Sequence, residues 1–237
     1  MIIFDFCVII SLLWGDSVIL FINNKLYEFS ESNLNDMYLD EGKEGVIYQY
    51  KAYVLKIYHP RIRKACLSEN DVLKLMEIHT SRFLLPLGLI YNDEKKFCGY
   101  YAKKVMTSSL DYIFNIRLSY LFNELKAFEE EIELLTNKQI EINDFIGINV
   151  LYDDHFYMCD PGSFLFNSFC SLDLLRKMNY EKLNQFFIED IIGKGCSTRK
   201  LNNIYRCFDD ISVPLSEQIA NVGNPNETIR QFVKRIS

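Results

Sequence analysis

Asp144, Asn149 and Asp160 are the residues of this chain whose types and spacing could most directly do chemistry. Asp144-Phe-Ile-Gly-Ile-Asn149 places an amide five positions after a carboxylate, and Asp160-Pro161-Gly162 adds a second carboxylate just past the next hairpin. That set suits phosphoryl transfer. One carboxylate orients or accepts the proton of an attacking hydroxyl, while the amide oxygen and the other carboxylate hold magnesium on the phosphates of ATP. Asp and Asn are common in loops, so the pattern draws its weight from two features upstream. Gly42-Lys-Glu-Gly45-Val-Ile47-Tyr48 reads as a glycine turn entering a strand, and Tyr53-Val-Leu-Lys56-Ile-Tyr58 sets one lysine inside an apolar strand. A lysine buried there without a partner is costly.

Turn signals and hydrophobic periodicity give the elements that must position these residues. Val150–Tyr152 and Phe156–Cys159, separated by Asp153-Asp154-His155, form a hairpin with Asn149 at one end and Asp160 at the other. Before it, Leu118, Leu121, Leu125, Phe128, Ile132 and Leu135 recur at intervals of three and four, which predicts a long amphipathic helix over 117–137. Glu129, Glu130 and Glu131 fall mostly on its wet side. Residues 36–58 predict three short strands, and 84–91 and 96–105 two more. Between them a helix over 67–79 begins at Ser68, capped with Asp71. Glu69, Val72, Leu73 and Met76 share its inward face, so Glu69 needs a cationic partner unless it serves only the helix dipole. Beyond Gly162, helical spacing covers 179–193, 197–209 and 225–236, with breaks at Gly193, Gly195 and Val213-Pro214.

In this order the parts resemble the signature set of the protein kinase family, over roughly residues 36–192. Gly42, Gly45 and Ile47 match the second half of the glycine loop, whose first glycine falls on Asp40. The strand lysine is Lys56, the catalytic Asp and Asn are Asp144 and Asn149, and the magnesium Asp is Asp160. The resemblance implies an α+β, bilobal protein kinase-like fold with a β-rich small lobe over 1–105, bearing one main helix, and a shortened helical lobe over 106–237. It also implies an ATP- and Mg2+-dependent phosphotransferase with its ligands between the lobes. Lys56 would hold the nucleotide phosphates and pair with Glu69. Lys103, Lys104 and Val105 would meet the adenine through their backbone, with Tyr100 or Tyr101 behind it. The acceptor implied is a Ser or Thr hydroxyl of a protein.

The departures matter as much. Ile142-Asn143 replaces the family's His-Arg before the catalytic Asp, Ile146 stands where its lysine would be, Pro161 interrupts D-F-G, and no A-P-E follows. These losses keep two alternatives open: a pseudokinase that binds nucleotide and presents a surface to a partner, and a small-molecule kinase of the aminoglycoside or choline type. Against the small-molecule reading stand the lack of a His shortly before Asp144 and the short second lobe.

Bulk properties narrow the class. At 237 residues, with 49% hydrophobic and 24% charged residues, the chain is an ordinary globular one. A net charge of −6 argues against general binding to nucleic acid or anionic membranes, although Arg61, Arg63 and Lys64 cluster locally. Seven scattered cysteines without a C-x-x-C suggest neither zinc nor a disulfide framework and point to the reducing cytoplasm. The apolar N-terminus is broken by Asp5 and Gly15-Asp16. It reads less well as an anchor than as extra strands, with a hairpin from Ser17–Ile22 through Asn23-Asn24 to Lys25–Phe29.

Overall fold

Strands dominate the described residues of the first unit because alternating apolar positions there can share one core. The computed structural model describes residues 17–22, 25–62, 66–106, 113 and 115–236. Seven strands form one antiparallel sheet: β1 (Ser17–Ile22), β2 (Lys25–Ser30), β3 (Tyr38–Glu41), β4 (Gly45–Tyr50), β5 (Tyr53–Tyr58), β6 (Gly88–Tyr91) and β7 (Phe97–Lys103), in the order β2-β1-β6-β7-β5-β4-β3. The expected N-terminal hairpin is present, and β1 joins the sheet edge at β6 through Phe21 and Ile22. Its turn residues 23–24, the stretch before 17, and Arg63 and Lys64 lie outside the described residues. One face of the sheet buries Leu20, Val46, Tyr48, Leu55, Ile57, Ile90 and Tyr101 in a single cluster. Leu34 of helix α1 (Glu31–Met37), which the sequence reading did not anticipate, joins that cluster.

Helix α2 (Glu69–Met76) starts where expected. Ser68 Oγ accepts from the Asp71 N–H, and Asp71 reaches back in a capping box. The inward face is not the expected one. Val72 and Leu75 are buried, whereas Leu73 is 44% exposed and Glu69 is exposed.

The chain divides into two compact units. The first holds the described residues up to His79 with Leu85–Lys104; the second holds Thr80–Leu84 and those from Val105 onward. The second is built on helix α3 (Leu118–Asn137), followed by short strand β8 (Ile140–Glu141), the hairpin β9 (Val150–Asp153) and β10 (His155–Met158), and β11 (Leu165–Phe166). Helix α4 (Leu172–Phe186) runs on into a π-helical stretch, Phe187–Ile192, and starts earlier than its spacing suggested. Helices α5 (Thr198–Tyr205), α6 (Leu215–Val222) and α7 (Ile229–Ile236) complete it. Of the helices in this second unit, α6 was missed outright, hidden by the Val213-Pro214 break. Among the described residues no helix is long and apolar enough to cross a membrane.

The acidic residues of α3 correct the expected wet side. Glu129 is buried and accepts from Ser216 N–H at 2.9 Å and Ser216 Oγ at 2.5 Å, capping the first turn of α6. Glu131 gathers the backbone N–H groups of Ser81, Arg82 and Phe83. Glu124, also buried, takes Arg82 at 3.2 Å, His155 Nδ1 at 2.7 Å and the Phe156 N–H at 3.0 Å, and so braces the hairpin.

Candidate functional site

The sequence-derived candidates divide between the units. The first carries Gly42, Gly45, Ile47, Lys56, Glu69, Lys103 and Lys104; the second carries Val105, Asp144, Asn149 and Asp160.

Within the first unit, the ladder aligns Ile47 with Lys56 and Lys56 with Tyr100, so all three point to the same sheet face, opposite the large apolar cluster. Lys56 is 5% exposed. Its ammonium donates to Glu44 Oε2 at 2.6 Å, a carboxylate from the glycine turn itself. The expected pair with Glu69 is not formed. Glu69 instead accepts from Tyr91 Oη at 2.6 Å, and burial together with that bond pushes the Tyr91 phenol up to about 12. Glu69 lies on the exposed side of the first turn of α2, where the Tyr91 hydroxyl at the end of β6 engages it.

The glycines differ in kind. A Cβ on Gly45 would lie 2.1 Å from the Ile57 carbonyl oxygen, so the close approach of β4 to β5 admits no side chain there. Gly42 faces open space, its N–H donating to the Gly45 carbonyl at 3.0 Å. At the end of β7, Lys103 pairs with Tyr53, and the Lys104 N–H is committed to the Ala52 carbonyl at 3.0 Å. That bond leaves the Lys104 carbonyl, rather than its N–H, for a backbone contact with a ligand. Tyr100 and Tyr101 are both buried; Tyr101 belongs to the apolar cluster on the far face.

In the second unit the segment from Ile140 to Gly162 holds its polar residues by anchoring the apolar ones between them. Ile142 is fully buried, and its N–H donates to Asn179 Oδ1 at 2.9 Å. Phe145 is buried against Phe83, Phe128 and Phe186, with ring centroids 5.1 to 5.9 Å away. Asp144, between these anchors, is exposed and left-handed at φ 51°. Asp tolerates that conformation better than most residues. Asn149 Nδ2 donates to the Asp144 carbonyl at 3.0 Å, which leaves the amide oxygen to face other donors or a cation. The Asn149 carbonyl in turn accepts the Cys159 N–H at 2.8 Å, closing the hairpin and setting Asp160 one residue from that bond. Asp160 is also left-handed, at φ 58°, and accepts the Gly162 N–H. Asn149 is thereby tied to the Asp144 backbone and, through the Cys159 N–H, to the residue before Asp160, in one short network of backbone bonds.

Sequence reasoning missed the residues that support this network. Asn143 donates to the Ser163 carbonyl at 3.2 Å and its own carbonyl accepts from Ser163 Oγ at 2.8 Å; its side-chain oxygen accepts from Lys182. Lys182 also meets Glu141 at 3.3 Å. Burial would raise the Glu141 carboxyl, but hydrogen bonds from Asn167 and Lys182 outweigh it and hold the group below its usual range. Gly147 lies against Asp190, whose carboxyl is pushed up by burial and by Glu189. Among the described residues no group of three or more His, Cys, Asp or Glu is disposed to hold a metal.

No protein-family model matches this chain, and no curated protein matches its sequence, so its geometry alone bears on its function.

Proposed function

We propose that the protein is a kinase-like phosphotransferase that moves the γ-phosphate of ATP to a hydroxyl, with a Ser or Thr of a protein as acceptor. The observation that carries this reading is that backbone network, in which Asn149 is bonded to the Asp144 carbonyl and to the N–H of Cys159, the residue before Asp160. Asp144 is exposed between the buried Ile142 and Phe145, where its carboxylate can orient an incoming hydroxyl and take its proton. Asn149, its amide nitrogen already committed, and Asp160 offer the hard oxygens that magnesium accepts alongside phosphates. The donor set thus fits magnesium, which when bound would neutralise charge on the nucleotide phosphates. Within the first unit, Lys56, buried in its strand, is a cation suited to phosphate, and Ile47 on the same sheet face supplies an apolar neighbour. Glu44 holds that cation in the present state.

A nucleotide-binding protein that does not transfer is the second reading. It is favoured by the Glu44–Lys56 and Glu69–Tyr91 pairings, which leave Lys56 and Glu69 apart. Incubation with γ-labelled ATP, Mg2+ and a mixture of Ser/Thr proteins separates the two readings. Asp144→Asn is expected to abolish transfer, a loss of about 10²–10⁴-fold, while ATP binding by thermal shift persists. Transfer by Asp144→Asn equal to wild type would exclude Asp144 as the catalytic carboxylate. Binding without transfer in both proteins would favour the second reading, and no binding of ATP by either would end both.

A further inference from the structure

The second unit carries a concavity of about 330 Å3, remote in sequence from the residues just described, lined by Ile192, Cys196, Lys200, Arg230, Val233 and Lys234. Its floor is apolar: Ile192 is fully buried, and Cys196 and Val233 are half-buried. Its rim is cationic, since Lys200, Arg230 and Lys234 are all exposed. Arg235, next along α7, is engaged by Glu227 at 2.7 Å. Lys200, Arg230 and Lys234 meet no carboxylate within ion-pair distance among the described residues. The bias is regional. Residues 193–206 and 229–236 hold seven Lys and Arg and no Asp or Glu, in a chain whose net charge is −6.

From this complementarity we infer that the concavity is a docking site for an acidic peptide segment of a partner protein, one that inserts a single apolar side chain between flanking carboxylates. Charge complementarity would steer and orient such a segment, and the apolar floor would bury its anchor. Two other anionic partners fit less well. A membrane engages protruding apolar side chains, whereas these are recessed. Nucleic acid presents phosphates to a polar, basic track and would leave the apolar floor unmatched.

The test uses the full chain and fluorescein-labelled peptides in which Glu and Ser alternate around one central Phe, read by fluorescence anisotropy. The acidic peptide is expected to bind, less tightly as salt rises. Replacing its Phe by Ser, or its Glu by Lys, should remove binding. Lys200→Glu combined with Lys234→Glu should weaken binding roughly tenfold or more, as reversal of paired interface charges does. Arg206→Glu, exposed and basic but outside the lining, should weaken binding far less than the double reversal does. All the altered positions are at the surface, so an unchanged melting temperature verifies the fold of each variant. The inference is overturned if no peptide binds, or if the double reversal binds as wild type does. It is also overturned if only vesicles of phosphatidylserine and phosphatidylcholine, and not the peptide, are captured in a Lys200- and Lys234-dependent way.

Discussion

Neutralising Glu44 tests most directly what Lys56 is for. In the structure Lys56 Nζ lies 2.6 Å from Glu44 Oε2, with side-chain exposures of 6% and 32%. If Lys56 holds nucleotide phosphates, ATP and Glu44 compete for one ammonium. Exposed ion pairs contribute up to about 1 kcal/mol, and removing one partner of a buried pair costs about 3–5 kcal/mol. A pair with one buried and one partly exposed member falls near the lower end, at about 1–2 kcal/mol. At a tenfold change per ~1.4 kcal/mol, Glu44→Gln should tighten ATP binding by about 5–30-fold. Titration calorimetry of ATP with Mg2+ reads this directly. Lys43→Ala, an exposed neighbour in the same turn, controls for altered loop mobility and should change little. In a Lys56→Met background the Glu44→Gln gain should vanish, because the two residues act through one contact. Equal or weaker ATP binding by Glu44→Gln would refute the competition and, with it, the assignment of Lys56 to phosphate.

Three further outcomes follow from the second unit. Asp160→Ala should remove most of the magnesium-dependent part of the ATP-induced thermal shift while leaving the chain folded; an equal response in both proteins would disprove the metal assignment. Asn179→Ala deletes bonds to the Ile142 N–H, the Ile140 carbonyl and Thr136, each at 2.9 Å, at a site without solvent. It should cost about 3 kcal/mol by urea denaturation. Glu141 has a lowered carboxyl, so its native form binds a proton only at lower pH than the unfolded chain does. Its contribution is then full above the ordinary value of 4.5 and is lost as pH falls through the folded value. The stability advantage of wild type over Glu141→Gln should be flat from neutrality down to that range and shrink below it; an advantage that grows on acidification would contradict the assignment.

The sequence was most legible where a local rule decides the structure. The β9–β10 hairpin follows from alternation around Asp153-Asp154-His155, α3 from its period, and the start of α2 from Ser68 and Asp71. It was least legible where charged residues are satisfied from a distance. Glu129 and Glu131 read as solvent-facing because their partners Ser216 and Ser81 lie 87 and 50 residues away. The same holds within the candidate site. Lys56 was expected to need an anion, but that anion is Glu44 of the glycine turn, while Glu69 is engaged by Tyr91. Asn143, Lys182 and Asn179 gave no signal, since an Asn or Lys within a helix or loop is unremarkable until its partners are known.

The hairpin that joins Asn149 to Asp160 also has a thermodynamic consequence. Because the Cys159 N–H to Asn149 carbonyl bond and the β9–β10 ladder fix how far apart the two residues are, their conformational freedom is surrendered during folding. A cation engaging both would then meet donors already ordered, and little of its binding free energy would be spent on restricting the chain. Lengthening the exposed tip at Asp154 would leave this spacing intact, whereas breaking the ladder near Val150 and Met158 would shift the entropic cost from folding to binding.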